Sequence, residues 1–216
     1  MKERPILFSA PMVQAIREGR KTQTRRVCKA STISTSLEGV DGGVATFSRL
    51  YGDGPGHEVQ EDVYQLRCPY GKPGDRLWVR EGFKRIASGE VKNGYGEVRY
   101  GFAYKADGAT IWAPRTTIIH DLSGQPDTGP MQFQPRPWKP SIHMPRIASR
   151  ILLEVTDVRV ERLQDISEED VIAEGRLNEI IYGTGWYRGL WESIDGAGSW
   201  DVNPWVWCVS FKMIES

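Results

Sequence analysis

The sequence has no excess of either charge: 28 Lys and Arg balance 28 Asp and Glu over 216 residues. Affinity for long polyanions comes mainly from neutralised phosphates, so a neutral chain is not expected to cover a large nucleic-acid footprint. Cysteine and histidine are scarce. Cys28, Cys68 and Cys208 are odd in number and far apart, which excludes a disulfide framework and points to a reducing, cytoplasmic compartment. His57, His120 and His143 have no HxxxH or CxxC company, so no metal is expected. The loop Gly52, Asp53, Gly54, Pro55, Gly56 lacks the Lys-Ser/Thr of a phosphate loop, and no cofactor is implied. No apolar run approaches the ~18 residues of a membrane span, and the first residues lack the apolar core of a signal peptide. A soluble chain with no membrane partner is expected.

At this length a chain buries about 70% of the surface its unfolded form exposes, enough for one core without staples. Strand patterns occur at Pro5 to Ser9, Arg76 to Phe83, Glu97 to Lys105, Arg150 to Arg162 and Trp205 to Met213, each rich in β-branched or aromatic residues and bounded by Gly, Pro or Asp. Alternation within Arg150 to Arg162 is imperfect, which predicts a long strand that crosses a bulge or changes partner midway. Short helices are expected at Ala10 to Glu18, stopped by Gly19, and at Glu168 to Glu174, capped by Ser167 and stopped by Gly175, with Val171 and Ile172 facing the core. The segments 30–66, 107–137 and 183–202 are dense in Gly, Ser, Thr, Asp or Pro and read as insertions, expected to be partly ordered loops. The fold class is α+β: a mixed β-barrel with a few short helices in one domain over residues 1–216.

Charge is neutral in sum but segregated along the chain. Residues 17–26 hold Arg17, Arg20, Lys21, Arg25 and Arg26 against Glu18 alone, whereas residues 161–174 hold six acids against Arg162 alone. A second basic stretch, without acids, runs from Arg136 to Arg150. Glu174 falls on the last turn of the predicted helix, where the dipole disfavours a carboxylate unless a cation is near.

Gly19, Lys21, Thr24 and Arg26 form a G-x-K-x-x-T-x-R pattern on a predicted tight turn. Farther on stand Pro73, Gly74, Asp75 before the strand Arg76 to Glu81, the acidic segment Leu163 to Gly175, and Trp205 to Phe211. In that order these elements resemble the ASCH family of the PUA-like superfamily. The insertions and the Cys68, Pro69, Tyr70, Gly71 lead-in resemble members encoded by bacteriophages and prophages. The resemblance implies a PUA-like barrel and a pocket for a small-molecule nucleoside, a short RNA or a modified base. In the members that act on N4-acetylcytidine, the residues matching Lys21, Thr24 and Glu174 carry amide hydrolysis. Thr24 would attack with Lys21 as base and Glu174 as acid, or Glu174 would activate water while Lys21 and Thr24 hold the oxyanion. Two other activities are compatible with the resemblance: a non-catalytic RNA or modified-base binding module, and a ribonuclease.

Outside that trio, Arg25, Arg26, Arg146 and Arg150 have the forked guanidinium that suits phosphate or a base edge, or else they pair with the acidic segment. Glu81 ends an apolar strand and is a second acid for the barrel mouth. Trp186, Trp191 and Trp200 lie in or near a glycine-rich segment, where an indole either stacks on a base or packs in the core; Trp186 is the candidate lid residue.

Overall fold

The protein is described from a computed structural model covering residues 1–29, 35–51, 60–89, 98–112, 137–177 and 183–214. Among the described residues, eleven strands and three α-helices follow in the order β1 (Glu3–Leu7), α1 (Ala10–Arg17), β2 (Gln23–Val27), β3 (Thr35–Asp41), β4 (Val44–Tyr51), β5 (Gln60–Arg67), β6 (Arg76–Arg80), β7 (Phe83–Gly89), β8 (Val98–Tyr104), β9 (Thr110–Trp112), β10 (Leu152–Arg162), α2 (Glu168–Ala173), α3 (Gly183–Asp195) and β11 (Trp205–Ile214). The class is mixed α+β, mostly strand. The chain divides into two compact units, residues 1–6, 15–78 and 150–216, and residues 7–14 and 79–149. Among the described residues no helix is long and apolar enough to cross a membrane.

In the first unit the main sheet has the order β1-β6-β10-β11-β2. Its spine is the antiparallel pair β10 and β11, in register from Leu152 opposite Ile214 to Arg162 opposite Trp205, with a bulge between Val155 and Asp157. The imperfect alternation has its cause there. Leu153 and Val155 are buried before the bulge and Val158 and Val160 after it, so one extra residue moves the buried set from odd to even positions. The expected barrel is corrected: β1 and β2 stand at opposite edges of this five-stranded sheet, and among the described residues no strand pairing joins them.

Two segments read as loops carry regular structure. Within 30–66, β3, β4 and β5 form an antiparallel meander. Its first hairpin turns on Gly42 and Gly43, both at positive φ, between the paired residues Asp41 and Val44, the two-residue loop that matches strand twist. Phe47 is fully buried, stacked on Tyr64 at 5.7 Å and edge-on to Trp205 at 5.8 Å. Within 183–202, α3 brings Tyr187 and Trp191 into a core with Leu163, Ile166, Val171, Trp200, Val206 and Cys208, while Trp186 and Leu190 pack at its margin. Three glycines in α3 hid this apolar stripe at helical spacing. Of the segment 107–137, Thr110–Trp112 is strand and residues 113–136 lie outside the described residues.

The second unit is built on the sheet β7-β8-β9, with Phe83, Phe102, Tyr104, Met144 and Ala148 as its core.

Candidate functional site

Gly19, at φ +73°, ends α1 in the left-handed region, its N–H donating to Ile16 O at 3.0 Å and the N–H of Arg20 to Ala15 O at 2.9 Å. The chain then runs extended past the end of α2. Lys21 and Glu174 form an antiparallel bridge, Thr22 N–H donates to Ala173 O at 2.8 Å, and Phe211 N–H to Thr22 O at 2.8 Å. Gly175, at φ +102°, lets these backbones approach: a Cβ there would lie 3.1 Å from the Cβ atoms of both Ala15 and Lys21.

Glu174 is the C-cap of α2, at the negative end of the helix, and the cation that this position demands is Lys21. Lys21 Nζ donates to Glu174 Oε2 at 2.5 Å and to the Glu174 carbonyl at 3.0 Å. The two side chains are 0% and 3% exposed. The second carboxylate oxygen accepts from Tyr187 Oη–H at 3.4 Å and lies 3.6 Å from Arg25 Nη1. Burial pulls the Lys21 amine below its ordinary value; the Glu174 carboxylate opposes this, and the nearby Arg26 and Arg25 add to the lowering. Burial, with the Glu174 charge beside it, pushes the Tyr187 phenol well up.

Arg25 continues the network. Its Nη2 donates to Asp170 Oδ2 at 2.7 Å and to Glu161, its Nε to Glu161 Oε1 at 3.1 Å, and its guanidinium lies 5.9 Å from the Tyr187 ring centroid. Arg159 bonds the same two acids, at 2.7 and 2.8 Å to Asp170 and 3.1 Å to Glu161. Burial disfavours the ionised Asp170, but the hydrogen bonds from Arg159 and Arg25 outweigh it and hold the carboxyl below its usual range. Arg25 is therefore committed to the acidic segment, the second of its two sequence readings.

The structure brings Lys21, Glu174 and Arg25 together and leaves Thr24 out. Thr24 is buried in β2 opposite Val209, a strand residue and not the turn residue expected. Strand alternation assigns it to the face opposite Arg25. Arg26 is half-buried beside it, opposite Trp207. Trp186 lies on α3 against the core, 6.4 Å from the Tyr187 ring, and Trp191 and Trp200 are core residues. Arg150 is half-buried just before β10. Glu81 and Arg146 belong to the second unit, Glu81 fully buried and Arg146 exposed. Of the pair expected in the core of α2, Val171 is buried and Ile172 is 42% exposed.

Sequence reasoning missed Tyr187, Glu161 and Arg159 as members of this cluster. For Tyr187 the signal was its place with Leu190 and Trp191 at helical spacing. A half-open depression of about 560 Å³ is lined by Gly19, Arg20, Thr22, Ala173, Arg176 and Leu177 among others, that is, by the chain neighbours of Lys21 and Glu174 and not by those two side chains. Among the described residues no group of three or more His, Cys, Asp or Glu is arranged to hold a metal ion. Comparison of the chain with protein-family models, with curated proteins and with solved structures finds no match.

Proposed function

We propose that the chain is a PUA-like protein of the ASCH type whose Lys21–Glu174 centre hydrolyses the N4-acyl amide of a cytidine-like nucleoside. The observation that carries this reading is the pairing, at 2.5 Å and out of solvent, of two residues 153 positions apart in sequence that the resemblance assigns to the reaction. The pair has the chemistry required. Glu174 takes a proton from water as its oxygen bonds to the acyl carbon, and Lys21, as ammonium, donates to the resulting oxyanion. Collapse breaks the C–N bond as the Glu174 proton passes to N4, releasing a carboxylic acid and the free amine. The position of Thr24 on the other face of β2 favours this version over one in which Thr24 attacks. Tyr187 and Arg25, both on Oε1, are positioning residues that leave Oε2 toward Lys21.

With both side chains sealed, the reading requires a local opening that admits the amide. The same burial favours a second reading, in which the pair only pins α2 to the segment before β2 and the protein binds RNA or a modified base without turnover. Incubation of the protein with N4-acetylcytidine and larger N4-acyl analogues, followed by ultraviolet absorbance, separates the two. Release of cytidine supports the hydrolase, and unchanged spectra with saturable nucleoside binding support the binding module.

A further inference from the structure

The meander β3-β4-β5 of the first unit ends on β5, and among the described residues β5 pairs with β4 alone. An edge strand turns the N–H and C=O of every second residue away from its neighbour, a template that another strand can take up. Proteins usually blunt such an edge with a short strand, a proline, a lysine or a bulge. At the other edge of the meander, β3 carries a bulge between Leu37 and Gly39. β5 has none of these devices. Its eight residues contain no proline and no lysine, and they run in unbroken register from Gln60 opposite Tyr51 to Arg67 opposite Val44.

The two faces of β5 differ. Tyr64 and Leu66 lie opposite Phe47 and Ala45, both 0% exposed, and so belong to the inner face. Alternation puts Glu61, Val63, Gln65 and Arg67 on the outer face, and all four are exposed, Val63 at 62%. Leu50, opposite Glu61 and diagonal to Val63, is 56% exposed on the same face. An exposed apolar pair therefore stands at the sheet edge between an acid at one end of the strand and a base at the other, whose cross-strand neighbours in β4 are the uncharged Leu50 and Val44.

That order of residues is complementary to itself. In an antiparallel pair of two β5 strands related by a twofold axis at Tyr64, Glu61 of each copy lies opposite Arg67 of the other, and Val63 opposite Gln65. Both members of each pair are odd-numbered, so outer residues meet outer residues and inner meet inner. The two Val63 side chains become diagonal neighbours, and with the two Leu50 side chains they make one apolar strip across the axis. An in-register parallel pairing would instead set acid beside acid and base beside base. We infer that β5 is a self-association edge, to which a second copy of this chain adds its own β5 in this antiparallel register, joining two three-stranded meanders into one six-stranded sheet. Backbone pairing supplies the attraction and the two symmetric ion pairs fix the register. The surface makes no use of Lys21 or Glu174 and does not depend on the hydrolase reading.

Sedimentation equilibrium of the intact protein over a wide range of concentration tests it. The wild type should show a reversible equilibrium between one chain and two. Glu61→Arg and Arg67→Glu should each raise the dissociation constant about tenfold or more, because each turns two attractive cross-strand pairs into two repulsive ones. An equimolar mixture of these two variants should associate as the wild type does, since every acid again faces a base, and the double variant Glu61→Arg with Arg67→Glu should dimerise by itself. Circular dichroism verifies the fold of each variant, whose substitutions fall at exposed positions. The inference is overturned by a wild type that stays monomeric at every concentration, by association that neither single change weakens, or by failure of either the mixture or the double variant to restore it.

Discussion

Replacing Glu174 by Leu takes the carboxylate away from an ammonium that is 0% exposed. Removing one member of a buried ion pair usually costs about 3–5 kcal/mol, whereas replacing both members with apolar groups is close to neutral. That loss is a large share of the roughly 5–15 kcal/mol that holds a domain folded. The double substitution Lys21→Met with Glu174→Leu should therefore be more stable than Glu174→Leu alone, a reversal that only direct coupling produces. The pH dependence adds a sign. The folded-state value of the Lys21 amine lies below the ordinary 10.5, so the unfolded chain binds more protons between the two values and stability rises with pH across that window, up to 10.5. Loss of Glu174 lowers the folded value further and widens the window, so Glu174→Leu should gain stability more steeply than wild type as pH rises. The double variant, with no amine at 21, should lack this component. Urea unfolding followed by tryptophan fluorescence at several pH values measures all three proteins. A Glu174→Leu protein within about 1 kcal/mol of wild type, well below the range for a broken buried pair, and a double variant no more stable than it, would refute the reasoning.

Gly175→Ala places a Cβ at φ +102° and 3.1 Å from Ala15 and Lys21, and should lose about 1–3 kcal/mol in the same assay, the usual range for a left-handed position that resists a side chain. Asp170→Asn removes the charge that Arg25 and Arg159 share and should lose about 2 kcal/mol at neutral pH, in the range for charged hydrogen bonds. Because the Asp170 carboxyl is held below its ordinary 3.8 when folded, its contribution is present above 3.8 and is lost as pH falls through the folded value; the gap between wild type and variant should close in acid. Thr24→Val keeps shape and removes the hydroxyl, and should leave turnover of an N4-acylcytidine within about threefold of wild type; a thousandfold loss, about 4 kcal/mol of barrier, would return Thr24 to the role of nucleophile.

The readable parts of the fold were those with a local physical signature. Ser167 accepts the Asp170 N–H at 3.1 Å as an N-cap should, and Gly19 and Gly175 stop their helices at positive φ. The disturbed alternation of β10 announced its bulge. The segments misread as loops failed for another reason: small and turn-forming residues dominate their composition, while what orders them is tertiary. Phe47 in β4 and Tyr187 and Trp191 in α3 are held by partners far off in sequence. Closure of a barrel depends on pairing between distant edges, which no local pattern encodes. At the site, an acid at the end of α2 pointed to a cation and Lys21 answers it. That Arg25 turns inward to Glu161 and Asp170, and Thr24 the other way, follows from the register of β2 on β11, which a single strand read alone does not reveal.

The most direct test of the central claim is ultraviolet-monitored hydrolysis of a panel of N4-acylcytidines by wild type, Lys21→Ala and Glu174→Gln, each first shown to be folded. The account predicts turnover by wild type and its loss, by a hundredfold or more for removal of a general acid–base group, in both variants, with Glu174→Gln still folded because its amide oxygen can accept from Lys21. No turnover by the folded wild type on any member of the panel, or turnover undiminished in Glu174→Gln, would contradict it.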